Sequence, residues 1–129
     1  MSMLTLMYVA IGGAVGSMGR YLIMSLVTRV NSGPFPYGTL AVNVLGAFLM
    51  GIWIAVMASM MPSRARDLHL LFAVGVLGGF TTFSAFTVDV FLLIDRGLMF
   101  QAIVYVLGSM GLCLLALMLG MWFLKFFSA

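Results

Sequence analysis

Charge is the property that this chain has least of. Only 7% of its 129 residues are charged, and three of them are acidic, whereas a soluble domain carries roughly 25% charged residues. Hydrophobic residues make up 64% of the chain. These proportions exclude an ordinary soluble domain and predict an integral membrane protein. The chain also lacks a long basic run, so its net charge of +3 does not favour nucleic-acid binding.

Residues that carry enzyme and metal chemistry are equally scarce. Cys113 is the single cysteine, which excludes an intrachain disulfide. His69 is the single histidine, and the acids Asp67, Asp89 and Asp95 are dispersed along the chain. The sequence contains no Ser–His–Asp arrangement, no metal-ligand spacing and no phosphate-binding loop. We therefore predict that the protein is not an enzyme.

Long hydrophobic runs are what the chain has in abundance. Four of them cover about residues 4–27, 39–61, 68–94 and 98–124. Each exceeds the ~20 residues that a helix needs to cross the hydrocarbon core. The connections are short, and the three residues 95–97 are few enough to require antiparallel neighbours. The sequence thus predicts an all-α membrane protein, with one transmembrane domain of four helices over residues 1–129.

The third hydrophobic run contains a stretch that is poorly suited to a helix. Its ten residues, 78–87, read Gly-Gly-Phe-Thr-Thr-Phe-Ser-Ala-Phe-Thr. Glycine loses much backbone entropy in a helix, and threonine is stiff at χ1. A loosened backbone inside a membrane must face protein or water, since lipid offers no hydrogen bonds. We predict a third helix that is broken near its middle, and a functional centre at the break.

The basic residues do not favour one orientation in the membrane. Three lie toward the side with both termini, namely Arg64, Arg66 and Lys125, against two or three on the other side. These are Arg29, Arg96 and Arg20, which lies near the end of span one and leans toward that side. The positive-inside rule needs a bias to fix topology. Either a small bias or another signal orients the chain, or the chain inserts both ways and pairs with an inverted copy. The second interpretation predicts an antiparallel, dual-topology homodimer, an arrangement that transporters with inverted repeats also use.

Polar residues on the first two spans allow two interpretations each. Gly12, Gly16 and Arg20 share one face of span one, where a GxxxG pair permits close helix approach. Arg20 either attracts an anion from a vestibule or extends to the membrane surface as an anchor. Asn43 lies on the packing face of span two, with Gly46. It either ties helices together or offers its amide N–H groups to a permeating ion.

Spans three and four combine ring edges with hydroxyl groups. Span three places Phe83 and Phe86 beside Ser84 and Thr87, and span four places Tyr105 and Ser109 on one face. Amide and hydroxyl donors and the positive edges of aromatic rings suit an anion. Backbone carbonyls freed at a break suit Na⁺. The alternative is a kinked helix whose hydroxyls bond to its own carbonyls and whose rings pack as core.

Three motifs in order resemble the Fluc (CrcB-type) fluoride channels. They are Gly-Ala-Val-Gly-Ser-Met-Gly-Arg-Tyr at 13–21, Gly-Thr-Leu-Ala-Val-Asn-Val-Leu-Gly at 38–46 and Gly-Gly-Phe-Thr-Thr-Phe-Ser-Ala-Phe at 78–86. The resemblance spans essentially the whole chain. It implies a passive fluoride channel in the cell (plasma or inner) membrane, which exports fluoride from the cytoplasm. It also implies an antiparallel homodimer with two pores.

The resemblance further implies roles for individual residues. The backbone carbonyls of Gly78 and Thr81 would hold a structural Na⁺ at the dimer centre. The side chains that match fluoride-pore positions are Arg20, Asn43, Phe83, Ser84, Phe86, Thr87, Tyr105 and Ser109. Three positions depart from the family pattern: Phe80 and Ala85 stand where a smaller aliphatic and a threonine are commoner, and Asp89 replaces a commoner glutamate.

Two rival functions remain. A small dual-topology proton-coupled exporter would resemble proteins with a glutamate buried in span one, and residues 4–27 contain no acid. A structural subunit of a larger membrane complex would explain the small-residue faces. It gives no use to a stripe of phenylalanines and hydroxyls at a broken helix.

Overall fold

The structure, a computed structural model, describes residues 2–59 and 62–127. Within these ranges the chain forms six α-helical pieces and one π-helical segment, as follows: α1 (Met3–Val30), α2 (Tyr37–Ser59), α3 (Pro62–His69), the π segment (Leu70–Leu77), α4 (Gly78–Phe80), α5 (Phe83–Asp95) and α6 (Met99–Phe127). Residues 60 and 61, with which the second predicted span ends, lie outside the described residues.

The four predicted spans are confirmed. Among the described residues, four helical stretches are long and apolar enough to cross a membrane: Met3–Val30, Tyr37–Ala58, Ala65–Asp95 and Met99–Phe123. Within a helix the backbone N–H and C=O groups bond to one another, which is the main condition for crossing lipid. The protein is therefore a multi-pass membrane protein, and the tight turn at Gly97, with φ of 74°, joins span three to span four.

Span three is composite, and its break lies later than the twin glycines. Gly78 keeps helical angles, with φ of −65° and ψ of −37°. The chain becomes extended at Thr81, with ψ of 159°, and at Thr82, with φ of −151° and ψ of 122°. The prediction of an interruption in the middle of this span is thus confirmed. The glycines do not themselves form it.

Glycines bring α1 against the first half of span three. Gly12 and Gly16 are buried. A Cβ on Gly12 would lie 2.9 Å from the Gly75 Cα, and one on Gly16 would meet the Val76 carbonyl oxygen and lie 2.9 Å from the Phe80 nitrogen. Real Cβ atoms do not approach backbone so closely, so only glycine permits this crossing. The predicted close approach on the Gly12–Gly16 face is confirmed.

The second pair of helices, α2 and α6, also approaches through glycine. A Cβ on Gly51 would meet the Leu117 carbonyl oxygen, and one on Gly120 would meet the Phe48 carbonyl oxygen. Nearer the other end, α5 and α6 share a small buried core of Leu93, Ala102 and Tyr105. The break in span three therefore lies between α1 on one side and α2 with α6 on the other.

Candidate functional site

The break is a capped helix start with its own hydrogen bonds. The Thr82 hydroxyl accepts from the Ala85 N–H at 3.1 Å, as an N-cap residue does. The Thr81 hydroxyl donates to the Leu77 carbonyl at 2.9 Å, and the Thr81 N–H donates to the same carbonyl at 3.0 Å. Threonine is a poor residue inside a helix. Here Thr81 ends one helix and Thr82 begins the next.

Asn43 binds the break from span two with both ends of its amide. Its Oδ1 accepts from the Thr82 N–H at 2.8 Å, and its Nδ2 donates to the Thr82 carbonyl at 3.0 Å. The interpretation of Asn43 as a tie between helices is therefore correct. An amide nitrogen carries two N–H groups, so a second donor remains for a ligand.

Arg20 reaches the break from span one. Its Nη1 donates to the Thr81 carbonyl at 3.2 Å across a partly buried contact. The guanidinium therefore lies within the protein, at the break, and does not act only as an anchor at the membrane surface. The sequence placed Arg20 on the inward face but could not name its acceptor.

A cavity of about 380 Å³ opens beside the break. It brings together five residues that the sequence singled out, namely Asn43, Thr81, Phe83, Phe86 and Ser109. Thr82 and Cys113 also line it, and sequence reasoning assigned neither to a site. Thr82 lies in the extended break itself, and Cys113 lies one turn after Ser109 on the same helical face. That spacing was the signal that could have found it.

Ser109 is the one predicted site residue in the cavity wall whose hydroxyl lacks a bond. It is only 6% exposed, and its Oγ has no hydrogen-bond partner among the described residues. A buried hydroxyl left unpaired costs about 1–3 kcal/mol. Such a group is expected to find a ligand or a water in the working protein.

The aromatic side chains form a line from this cavity into the core. The rings of Phe83 and Phe86 are stacked, with centroids 5.5 Å apart, and Phe86 lies 5.1 Å from Tyr105. Phe83 is 79% exposed, although it lines the cavity. Tyr105 is 1% exposed, and its hydroxyl lies 3.4 Å from the Asp89 Oδ2, to which it donates.

Asp89 leads to a second cavity, which the sequence did not predict. This cavity, of about 230 Å³, lies at the end of the molecule where the first and third loops meet. Asp89, Arg96 and Thr39 line it. The Tyr105–Asp89 contact therefore connects the aromatic line to the second cavity. The sequence signal was the charge of Asp89 near the end of an apolar span.

Ser84 and Thr87 are two of the predicted residues that line neither cavity. The Thr87 hydroxyl donates to the Phe83 carbonyl one turn earlier at 3.0 Å, which is the local bonding expected of an ordinary helix. The Ser84 hydroxyl lies 3.2 Å from the Thr82 hydroxyl. Both residues are exposed on the surface of the single chain.

In a continuous helix the carbonyls of Gly78 and Thr81 would each accept a hydrogen bond from the N–H group four residues later. The Thr82 N–H would bond the Gly78 carbonyl in an unbroken helix, but it donates to Asn43. The Ala85 N–H would bond the Thr81 carbonyl, but it donates to the Thr82 hydroxyl. The break therefore diverts both regular helical donors, and the Thr81 carbonyl receives Arg20 in their place.

Comparison with known proteins identifies the family. The sequence model described as "CrcB-like protein, Camphor Resistance (CrcB)" matches residues 7–121. A protein of Chelativorans sp. (strain BNC1) is 46% identical over 117 residues, which cover 91% of this chain and 93% of the relative. A protein of Hahella chejuensis is 42% identical over 93% of this chain and 94% of its own length. A protein of Geobacter sulfurreducens is 45% identical over 87% of this chain and 90% of its own length.

All three relatives carry the name "Fluoride-specific ion channel FluC". The match covers all four spans and the whole of the break. The resemblance inferred from the three motifs is thereby confirmed, and the chain belongs to the CrcB family.

Proposed function

We propose that this protein is a passive, fluoride-selective ion channel that lets fluoride leave the cytoplasm. Relatives at 42–46% identity are named fluoride-specific channels, in keeping with the prediction that the chain is not an enzyme. The observation that carries the proposal is Ser109. Its hydroxyl is buried and lacks a partner among the described residues, and the residue lines a cavity with Asn43 and the phenylalanine rings.

The chemistry of the cavity suits a small anion. The Ser109 hydroxyl and the free N–H of Asn43 can donate to an anion, and the edges of Phe83 and Phe86 carry the positive part of the ring quadrupole. Fluoride is small and strongly hydrated, so a pore must replace its water with several short donors. The remaining wall is mostly apolar, with residues such as Met110 and Leu117. Such a wall keeps binding weak enough for release, as conduction requires.

The proposed route continues along span four to the second cavity. An ion that leaves Ser109 passes the Phe86 and Tyr105 rings and reaches Asp89 and Arg96. The carboxylate and the guanidinium line the same cavity, so the arginine offsets the repulsion that the carboxylate exerts on an anion.

The break also offers ligands for the Na⁺ that the family resemblance implies. The Gly78 carbonyl has lost its regular helical donor, and a carbonyl oxygen is a hard ligand of the kind that coordinates Na⁺ at unwound helices. The Thr81 carbonyl accepts one bond from Arg20 and keeps a second lone pair. Gly78 and Thr81 therefore fit a Na⁺ site that the same carbonyls of a second copy would complete. The bound cation would neutralise the partial charge of the converging oxygens.

An antiparallel homodimer explains the groups that the single chain leaves exposed. Gly78, Ser84 and Thr87 are exposed, and Phe83 is 79% exposed, although all lie within an apolar span. Polar groups at membrane depth face protein or water and not lipid. An inverted second copy that packs on this face would cover them, and the even distribution of arginine and lysine permits both orientations.

The proposal is tested by ion efflux from liposomes that contain the purified protein. We expect fluoride efflux that needs no proton gradient and no measurable chloride efflux. Equal efflux of the two halides, or none, would contradict the proposal. A rate that follows an imposed proton gradient would favour the exporter. For the Na⁺ site, we expect a higher unfolding temperature in Na⁺ than in choline at equal ionic strength.

A further inference from the structure

We propose that Arg20 is a positioning residue that holds the break in span three open. Its guanidinium replaces the helical N–H group that the Thr81 carbonyl has lost, and so it keeps Thr81 and Thr82 extended. The consequence for ion flux rests on the proposed function, whereas the contact and its effect on the backbone do not.

Hydrogen-bond accounting at the break is the first support. Restoring a continuous helix would return the Ala85 N–H to the Thr81 carbonyl and the Thr82 N–H to the Gly78 carbonyl. In the structure these donors bond the Thr82 hydroxyl at 3.1 Å and Asn43 at 2.8 Å. The Thr81 carbonyl is partly buried, and a buried carbonyl without a partner is costly. Arg20, at 3.2 Å, removes that cost and thereby favours the extended conformation over the helical one.

The second support is the helix packing that places Arg20 beside the break. Gly12 and Gly16 press α1 against Gly75 and Val76, so the register of the two helices is set by backbone contact. Residues four apart lie on the same face of a helix. Arg20 follows Gly16 by four residues and therefore reaches the level of the break.

Arg20 and Asn43 hold consecutive residues from opposite sides. Arg20 on α1 binds the Thr81 carbonyl, and Asn43 on α2 binds both backbone groups of Thr82. Two spans thus fix the direction of the carbonyls at the break. The guanidinium contributes by its directed N–H bond, and its charge alone would not order the backbone.

A role in attracting the anion makes a different prediction. Arg29 lies further along α1 and lines the same groove as Arg20. It is exposed, and it lies near the end of α1, beyond the level at which Arg20 meets Thr81. Attraction by charge would be shared by both arginines and would be screened by salt. A positioning effect requires Arg20 and not Arg29, and it does not depend on the salt concentration.

The test uses the full chain with Arg20→Gln and Arg20→Lys, and Arg29→Gln as the matched control. Hydrogen–deuterium exchange is followed in peptides that cover residues 80–86, with peptides from α6 as the internal reference. We expect both Arg20 variants to exchange roughly tenfold faster at the break while α6 is unchanged. Without the Arg20 bond the Thr81 carbonyl is left unpaired, so the segment opens more often between its extended and helical conformations, and this opening is local. Arg29→Gln should match the wild type at both places. Lysine keeps the charge but ends one bond short of the guanidinium nitrogens.

Fluoride efflux from liposomes, at low and high ionic strength, supplies the second readout. We expect a loss of roughly tenfold in Arg20→Gln that persists at high salt, where attraction by exposed charges is screened. Unchanged exchange at the break in both Arg20 variants would overturn the inference. So would an efflux loss that salt abolishes. Absence of efflux from the wild type would refute the proposed function and leave the exchange test of Arg20 intact.

Discussion

At the scale of single residues, the site depends on which polar atoms are already bonded. Asn43 uses its oxygen and one N–H on Thr82, Tyr105 donates toward Asp89, and Thr87 bonds its own helix. Ser109 differs, because its hydroxyl has no partner among the described residues. A polar side chain on a membrane span can therefore be structural or available to an ion, and only its neighbours decide which.

Replacing Ser109 with alanine separates function from stability. The hydroxyl bonds no other described residue, so its removal should not lower the free energy of unfolding and should raise it by up to about 1–3 kcal/mol, the cost of an unpaired buried hydroxyl. Fluoride efflux should fall by roughly tenfold because the ion loses a donor, a change that corresponds to a barrier raised by about 1.4 kcal/mol. Thermal unfolding and liposome efflux measure the two effects. Thr5→Val, which removes a hydroxyl far from both cavities, should leave efflux at the wild-type rate. A normal rate in Ser109→Ala would remove this hydroxyl from the route.

At the scale of helices, the broken span is fixed by its neighbours as much as by its own sequence. The twin glycines suggested an interruption at residues 78 and 79, yet both stay helical. Glycine is needed at 79 for another reason: a Cβ there would lie 2.7 Å from the Gly13 carbonyl oxygen. The break falls instead where Thr82 can cap α5 and where Asn43 and Arg20 can bond the released backbone. The π segment before it (Leu70–Leu77) was also not predicted, since hydropathy does not distinguish helix types.

A pair of glycine substitutions tests this packing. A Cβ at residue 16 would collide with the Val76 backbone, whereas one at residue 13 has open space within 4 Å. Gly16→Ala should therefore lower the free energy of unfolding by about 1–3 kcal/mol, the usual cost of overpacking. It should also reduce efflux, because α1 carries Arg20.

Gly13→Ala is the matched control for that substitution. It should be neutral or stabilise the helix by up to about 1 kcal/mol, since alanine is the better helix former. Equal stability of the two variants, measured by thermal unfolding in detergent, would contradict the close packing of α1 on span three.

At the scale of the whole molecule, the distribution of charge and the exposed face both bear on assembly. Apart from Arg20, which binds the break, the basic residues divide three against two between the two sides of the membrane, and the face with Phe83, Ser84 and Thr87 is uncovered in one chain. Both features suit a protein that inserts in two orientations and pairs with its inverted copy. Neither is needed for a channel that works as a single chain.

Shifting the charge balance tests dual topology. Asp67 and Asp95 are exposed and lie at opposite ends of span three, so Asp67→Lys and Asp95→Lys add a positive charge on opposite sides. Each single variant should favour one orientation and lower efflux several-fold, because inverted partners become rare. The double variant restores the balance and should regain the wild-type rate. Labelling of the loops in intact and opened vesicles measures orientation directly. Full efflux from a chain shown to have one orientation would contradict the antiparallel dimer.

The sequence by itself determined the properties that depend on local composition. Long apolar runs set four membrane spans, the scarcity of acids, histidine and cysteine argued against enzyme chemistry, and three motifs indicated the family. The inward faces of Gly12, Gly16 and Arg20 also followed from helical spacing alone. These features require no knowledge of which helices are neighbours.

Only the tertiary structure decided which partners those residues find. The Arg20 contact joins residues 61 positions apart, and the Asn43 contacts join residues 39 apart. Such pairs form when helix packing sets a common level in the membrane, and no periodic pattern encodes that level. For the same reason the cavity beside Ser109, the link from Tyr105 to Asp89 and the position of the break became visible only once the four spans were packed together.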